Sequence, residues 1–222
     1  MPNQSAPERI VIENLEHFGP EELIGHLKQV CMFKGRFQHI HPYQQAFISL
    51  EKIACEDLHP PQTYVLINQL KKIRQLKTAL AVHGLDIYEL NGFVRLKLEG
   101  YDEPVDLLPP IVEESIERNG RIARIICDGL HRVYNAWSEW VIPQVVYVRG
   151  LPKEYPYYAY PNRNPDWTGI VKFEDPDHIP PEGEFLKKWH RFDNYRDYYR
   201  DFNSAFKNVG GPRGHGQKEA RK

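Results

Sequence analysis

Apolar residues recur along the chain with two clear periods. Between residues 63 and 81, Val65, Leu66, Leu70, Ile73, Leu76 and Leu80 return every three or four positions, with Lys71, Lys72, Arg74 and Lys77 between them. That spacing predicts a helix over 63–81 with one buried face. His83-Gly84 closes it, because glycine takes the left-handed conformation of a helix C-cap without a Cβ penalty. Leu23, Ile24, Leu27 and Val30 come after the Gly19-Pro20 break at the same period and predict a short helix near 21–30. Residues 45–53 carry the β-branched and aromatic content of a strand, His59-Pro60-Pro61 interrupts regular structure after it, and 85–88 start another strand. Residues 110–117 and 121–127 flank Asn119-Gly120, a hairpin signal because both turn residues tolerate positive φ. After Asp128-Gly129 the period switches: Leu130, Val133, Tyr134 and Trp137 fit a helix to about Trp140, and 144–148 form a further strand. The proline- and aromatic-rich stretch 150–181 reads as an ordered surface loop, since prolines deny it ladder hydrogen bonds while its rings give it area to pack. A last helix over 185–206 precedes a Gly/Lys/Arg tail from Gly210 that is expected to be flexible.

With 222 residues, 41% of them hydrophobic, the chain can bury a sizeable core, and its composition is that of a folded globular protein. No stretch has the length or apolarity of a signal peptide or membrane span, so the expected location is the cytoplasm, with no membrane partner. Cys31, Cys55 and Cys127 are scattered and odd in number, which argues against a disulfide framework and a structural zinc site. His39-Ile40-His41 puts two imidazoles on one strand face, yet no further ligand stands near them in sequence. Charge is uneven. From residue 186 onward there are ten Lys/Arg against four Asp/Glu, leaving 19 basic and 26 acidic residues before it. A basic end on an acidic body lies against that body or meets a nucleic acid. Cations interleaved with aromatics, from Lys187-Lys188-Trp189-His190-Arg191 to Tyr198-Tyr199-Arg200, suit both readings.

The chemistry concentrates at Asp128-Gly129-Leu130-His131-Arg132, where a strand turns into a helix. Free amides and the positive dipole end of the helix's first turn form an anion site, and Gly129 allows close approach of the backbone. Arg132 can bind phosphate oxygens bidentately, and His131 can donate a further bond or relay a proton. Asp128 can cap the helix or hold a Mg²⁺ that bridges phosphates. Asn135, one helical turn beyond Arg132, can complete the polar shell, and Tyr157, Tyr158 and Tyr160 can stack on a base or simply pack.

The order of a strand at 47–53, the turn Leu58-His59-Pro60-Pro61-Gln62, a helix over 63–81, Gly84, the Pro110-Ile111-Val112 strand and the Asp-Gly-Leu-His-Arg turn resembles the ParB/sulfiredoxin superfamily. The turn is most similar to that of the ParB-like free serine kinases. The resemblance covers residues 47–150 and implies an α+β fold: a mixed sheet flanked by helices at 46–150. An N-terminal extension at 1–45 precedes it; a loop and docking helix at 151–209 and a basic tail at 210–222 come after it. It also implies phosphates of ATP, ADP or another nucleoside triphosphate on Gly129, Leu130, His131 and Arg132, with Mg²⁺ on Asp128. His131, Asp128 and Glu113 then stand as the catalytic group, and Gln62, Tyr64 and Asn135 as contacts to base, ribose or substrate. Departures matter. Sulfiredoxins carry their catalytic cysteine where this chain has Leu130, which disfavours sulfinic acid reduction, and partitioning ParB proteins read Gly-Glu-Arg-Arg at the turn. The serine kinases' catalytic glutamate falls near Gln62, which does not titrate. Glu56, Asp57, Glu113 and Glu114 are the carboxylates near enough to replace it. The expected activity is nucleotide-dependent phosphoryl transfer to a small hydroxyl-bearing acceptor; a ParB-like nucleic-acid-binding protein or nuclease and a noncatalytic nucleotide sensor are the alternatives.

Overall fold

The computed structural model describes residues 9–33, 35–161, 167–179 and 190–211. Along the chain the elements are β1 (Ile12–Phe18), α1 (Pro20–Leu27), β2 (Cys31–Met32), β3 (Phe47–Lys52), β4 (Tyr64–Leu66), α2 (Ile67–Val82), β5 (Phe93–Leu98) and β6 (Val105–Leu107). They continue with β7 (Ile111–Ile116), β8 (Ile122–Asp128), α3 (Leu130–Ser138), β9 (Gln144–Arg149), β10 (Val171–Phe173) and β11 (Arg200–Asp201). The fold is α+β. Its central sheet runs in the order β3-β9-β7-β8 and is mixed: β7 pairs parallel with β9, while β3–β9 and β7–β8 are antiparallel. An antiparallel sheet β1-β5-β6, a parallel pair β4–β10 and an antiparallel pair β2–β11 complete the pairing.

Strand alternation separates the two sides of the central sheet. Val112, Ile126, Val145 and Tyr147 belong to a core shared with Leu70 and Leu80 of α2, Val133 and Tyr134 of α3, and Leu96 of β5. Ile111, Val146 and Val148 point the other way and pack with Leu23 and Leu27 of α1, Tyr43, Phe93 and the C-terminal Phe202 and Phe206. Residues 9–45 are thus built into the body, with β1 paired to β5 and α1 on the second core.

The period-based expectations for 21–30, 45–53, the hairpin, α3 and β9 hold. Other elements differ for identifiable reasons. Residues 64–66 form a strand, because β10 offers a parallel ladder. The helix therefore starts at Ile67. It does end at Gly84 (φ 73°), where the Gly84 amide bonds the Ala81 carbonyl at 3.0 Å and the Leu85 amide bonds Leu80 at 3.1 Å. Residues 85–88 form a turn region, and the next strand is β5. In the hairpin only Gly120 has positive φ (78°), so the connection is a four-residue turn closed by the Gly120 amide on the Glu117 carbonyl at 2.8 Å. His39 and His41 lie in turns rather than on a strand, and His41 Nδ1 lies 3.0 Å from the Gln29 carbonyl.

The expected C-terminal helix is the largest correction. Residues 185–189 lie outside the described residues, as does the tail from 212. From 190 to 206 the chain forms 3₁₀ turns at Tyr195–Tyr198 and Phe202–Ser204 around β11. The reason is Arg200, whose side chain is drawn into the second core and whose strand pairs with β2.

Candidate functional site

β8 ends at Asp128, and Gly129 reverses the chain into α3 with φ 84°. Glycine is required twice over. The left-handed backbone disfavours any Cβ, and a Cβ there would stand 2.9 Å from an Arg132 Nη2 and 3.0 Å from Pro110. The Arg132 and Val133 amides bond the Gly129 carbonyl at 2.9 and 3.0 Å. The amides of Leu130 and His131, at the start of the first turn, have no acceptor within their own helix and stand at its positive end.

The side chains of the turn face inward more than the sequence suggests. Arg132 is 5% exposed; its Nη2 pairs with Asp128 Oδ2 at 2.8 Å, and its Nη1 donates to the Leu108 carbonyl. Burial draws the guanidinium pKa down, and the Asp128 carboxylate opposes that. The expected bidentate grip on a phosphate is therefore replaced by a brace under the turn. His131 Nε2 accepts the Leu66 amide at 3.0 Å, tying α3 to the β4–α2 junction. Burial pushes His131 to about 4, so it is neutral near pH 7 and carries its proton on Nδ1, away from Leu66. Asn135 is fully buried: its Oδ1 accepts from Arg74 Nε and its Nδ2 donates to the Leu70 carbonyl, both at 3.3 Å. It crosslinks α2 and α3 and contributes nothing to a ligand shell.

Glu113 undergoes the largest change of role. It is 1% exposed, its two oxygens receive Arg200 Nε at 2.8 Å and Nη2 at 2.9 Å, and Tyr43 donates to Oε1 at 2.7 Å. A carboxylate so held is no general base. Its neighbour Glu114 accepts the Tyr147 hydroxyl at 2.6 Å, and Glu56 and Asp57 sit exposed on the 3₁₀ turn Cys55–Asp57. Gln62 donates to the Tyr64 carbonyl at 2.9 Å, and the Tyr64 ring packs edge-on against Phe173.

Next to the turn lies a cleft of about 880 Å³. Cys127 and Asp128 at the end of β8, Tyr157 and Tyr158, and residues of 196–203 line it. Burial and the Glu113 carboxylate push the Cys127 thiol up, so it is no nucleophile. Tyr158 is raised to about 12, mainly by burial, and is a neutral hydroxyl. The interleaved Tyr and Arg of 195–200 are the sequence signal for this part of the lining. Their helical reading concealed it.

Asp128 is neutralised by Arg132, and Arg200 by Glu113. Among the other charged residues of the lining are one cation, Arg196, and two carboxylates, Asp197 and Asp201. Among the described residues no three His, Cys, Asp or Glu cluster to hold a metal by themselves. Asp128 keeps a quarter of its side chain exposed and fits the lesser demand of Mg²⁺, which takes one or two carboxylates and completes its shell with phosphates and water. Among the described residues no helix is long and apolar enough to cross a membrane.

No curated protein and no solved structure gives a significant match to the chain. The model of the ParB CE domain matches residues 22–171, from within α1 to the first residue of β10. That stretch takes in the mixed sheet, α2, the turn and α3, and it is well over half of the 222 residues. The chain belongs to the ParB CE domain family.

Proposed function

We propose that the protein is a nucleotide-binding ParB-type module whose ligand, a Mg²⁺–nucleoside triphosphate, occupies the cleft beside Asp128. The cleft itself carries this reading. Its volume of about 880 Å³ falls within the range of sites that enclose small ligands, and Asp128, the last residue of β8 before the Gly129 turn, is on its lining. The balance of Arg196 against Asp197 and Asp201 makes a divalent cation the necessary counter-charge for a triphosphate.

Binding without turnover is the form that the side chains favour. Phosphoryl transfer to a hydroxyl asks for a base near neutral pH. Glu113 is sequestered by Arg200, Gln62 does not titrate, and His131 offers its lone pair to Leu66. A phosphotransferase acting on a small hydroxyl-bearing acceptor is the second reading, and Asp128 favours it as the one carboxylate of the turn that reaches the cleft. The nucleic-acid reading rests on the ten Lys/Arg from 186 onward; six of them lie outside the described residues, and of the other four Arg191 and Arg200 are paired with Glu117 and Glu113.

Thermal denaturation with ATP, GTP, CTP and UTP, with and without Mg²⁺, is the test. A triphosphate at a hundredfold over its Kd stabilises by about 2.7 kcal/mol, a rise of roughly 5–10 °C in a chain of this size. Shifts that need Mg²⁺ are expected. Labelled triphosphate with candidate acceptors then separates a sensor from a kinase. If none of the four nucleotides raises the transition, the cleft is not a nucleotide site.

A further inference from the structure

The family match ends at residue 171, yet much of the cleft wall comes from residues 196–203. This segment is held firmly. Arg200 is 7% exposed and donates to Glu113, to the carbonyls of Tyr198 and Tyr155 and to the Met32 sulfur. The Phe33 amide bonds the Tyr199 carbonyl at 2.8 Å, and β11 pairs with β2. Arg200 thus acts as a plug in the sheet face that fixes the residues on either side of it.

Those residues carry groups suited to a flat polar ring. Tyr199 meets Tyr158 edge to face, with centroids 4.5 Å apart and planes at 64°. Such a corner offers a π-face to a heteroaromatic ligand. Three residues past Arg200, Asn203 accepts the Val209 amide on Oδ1 at 2.8 Å. That bond fixes which end of the amide is which, and it leaves Nδ2 as the donor end of a residue that lines the cleft. Arg196 is exposed and adds a guanidinium at the same wall.

Resting on the nucleotide reading above, we propose that the segment 196–203 reads the base: Tyr199 stacks on the ring, with Tyr158 set edge to face against Tyr199, and Asn203 Nδ2 donates to a carbonyl on the ring's edge. Specificity for the base is then supplied by Tyr199 and Asn203 from beyond the family domain, whereas the Mg²⁺ and phosphates meet Asp128 within it. Cytosine, uracil and guanine carry ring carbonyls and adenine does not, so ATP is the poorest ligand of the four.

Calorimetry on the full chain with the four Mg²⁺–nucleoside triphosphates and with Mg²⁺–tripolyphosphate tests this. Tyr199→Leu is expected to weaken the best nucleotide about tenfold or more, the scale of a lost base stack, while tripolyphosphate binding stays within about twofold. Tyr199→Phe keeps the ring and stays near wild type. Asn203→Asp keeps the acceptor for Val209 but loses the donor, and it moves preference toward ATP. Failure of all nucleotides and of tripolyphosphate to bind wild type defeats the site itself. Nucleotide binding that is indifferent to Tyr199→Leu and Asn203→Asp defeats the base-reading role alone. If Tyr199→Leu also abolishes tripolyphosphate binding while Tyr199→Phe does not, the ring shapes the whole cleft and the inference is overturned.

Discussion

Arg132 and Arg200 are both buried arginines paired with a carboxylate, one in the turn after β8 and one in the C-terminal segment. The first lies in the motif where the sequence concentrates its chemistry, and it braces the turn from beneath. The second lies in a segment that reads as a docking helix, and it fixes the wall of a cleft. Arg132 pairs with a neighbour four residues away, so the pair lives on local geometry. Arg200 reaches Glu113 across 87 residues and joins two distant parts of the chain. A short motif thus locates a site, while distant segments build the room around it.

Removing one partner of each pair measures the difference. Arg200→Ala leaves Glu113 charged and unpaired in the core and is expected to cost about 3–5 kcal/mol in urea unfolding. Arg132→Ala should cost about 2–3 kcal/mol, less because Asp128 retains contact with water. An equal or reversed order would break the comparison.

The tie between the turn and β4 has a pH signature. His131 is pushed to about 4 by burial, below the ordinary imidazole value near 6.5. Above about pH 6.5 neither the folded nor the unfolded chain protonates it, so its contribution to stability is fully present. As the pH falls from about 6.5 to about 4, only the unfolded chain takes up the proton, and stability drops by about 3 kcal/mol. Below about 4 the loss levels off. His131→Asn should flatten that part of the stability–pH curve, and a slope unchanged by the substitution would contradict the assignment.

Gly129→Ala sharpens the contrast from the side of the turn. Positive φ and the close approach of Pro110 predict about 1–3 kcal/mol of destabilisation by thermal or urea unfolding. The smallest effect expected is a gain. Trp140 sits at the left-handed position after α3 (φ 59°) with 90% of its surface exposed, where the Trp140 amide bonds Trp137 at 3.1 Å and Val141 bonds Ala136 at 2.9 Å. Glycine is the usual residue there, so Trp140→Gly should stabilise by up to about 1 kcal/mol.

Much of the fold is legible in the sequence. Leu70, Ile73 and Leu80 announce α2, Asn119-Gly120 announces the hairpin, and Asp128-Gly129 marks the switch to α3, because each depends on neighbours a few residues away. β1 is not legible: Glu13 and Glu16 interrupt its apolar pattern, and it exists because β5 supplies a ladder. At the site, the glycine turn and its helix are legible. The fates of Arg132, Glu113 and Asn135 are not, since a polar side chain does not declare in sequence whether its partner is a ligand or a distant part of its own chain.

By itself the sequence determined that a strand gives way to α3 at Asp128-Gly129, that Gly129 must turn the chain, and that the chain resembles the ParB/sulfiredoxin superfamily. The first two rest on backbone sterics and short-range periodicity, the third on the order of elements and the Asp-Gly-Leu-His-Arg turn. The tertiary structure alone decided that Glu113 is locked to Arg200 and that residues of 196–203 line one cleft with Asp128. Buried charges must be paired, and pairing is settled by whichever segment of the folded chain arrives beside them.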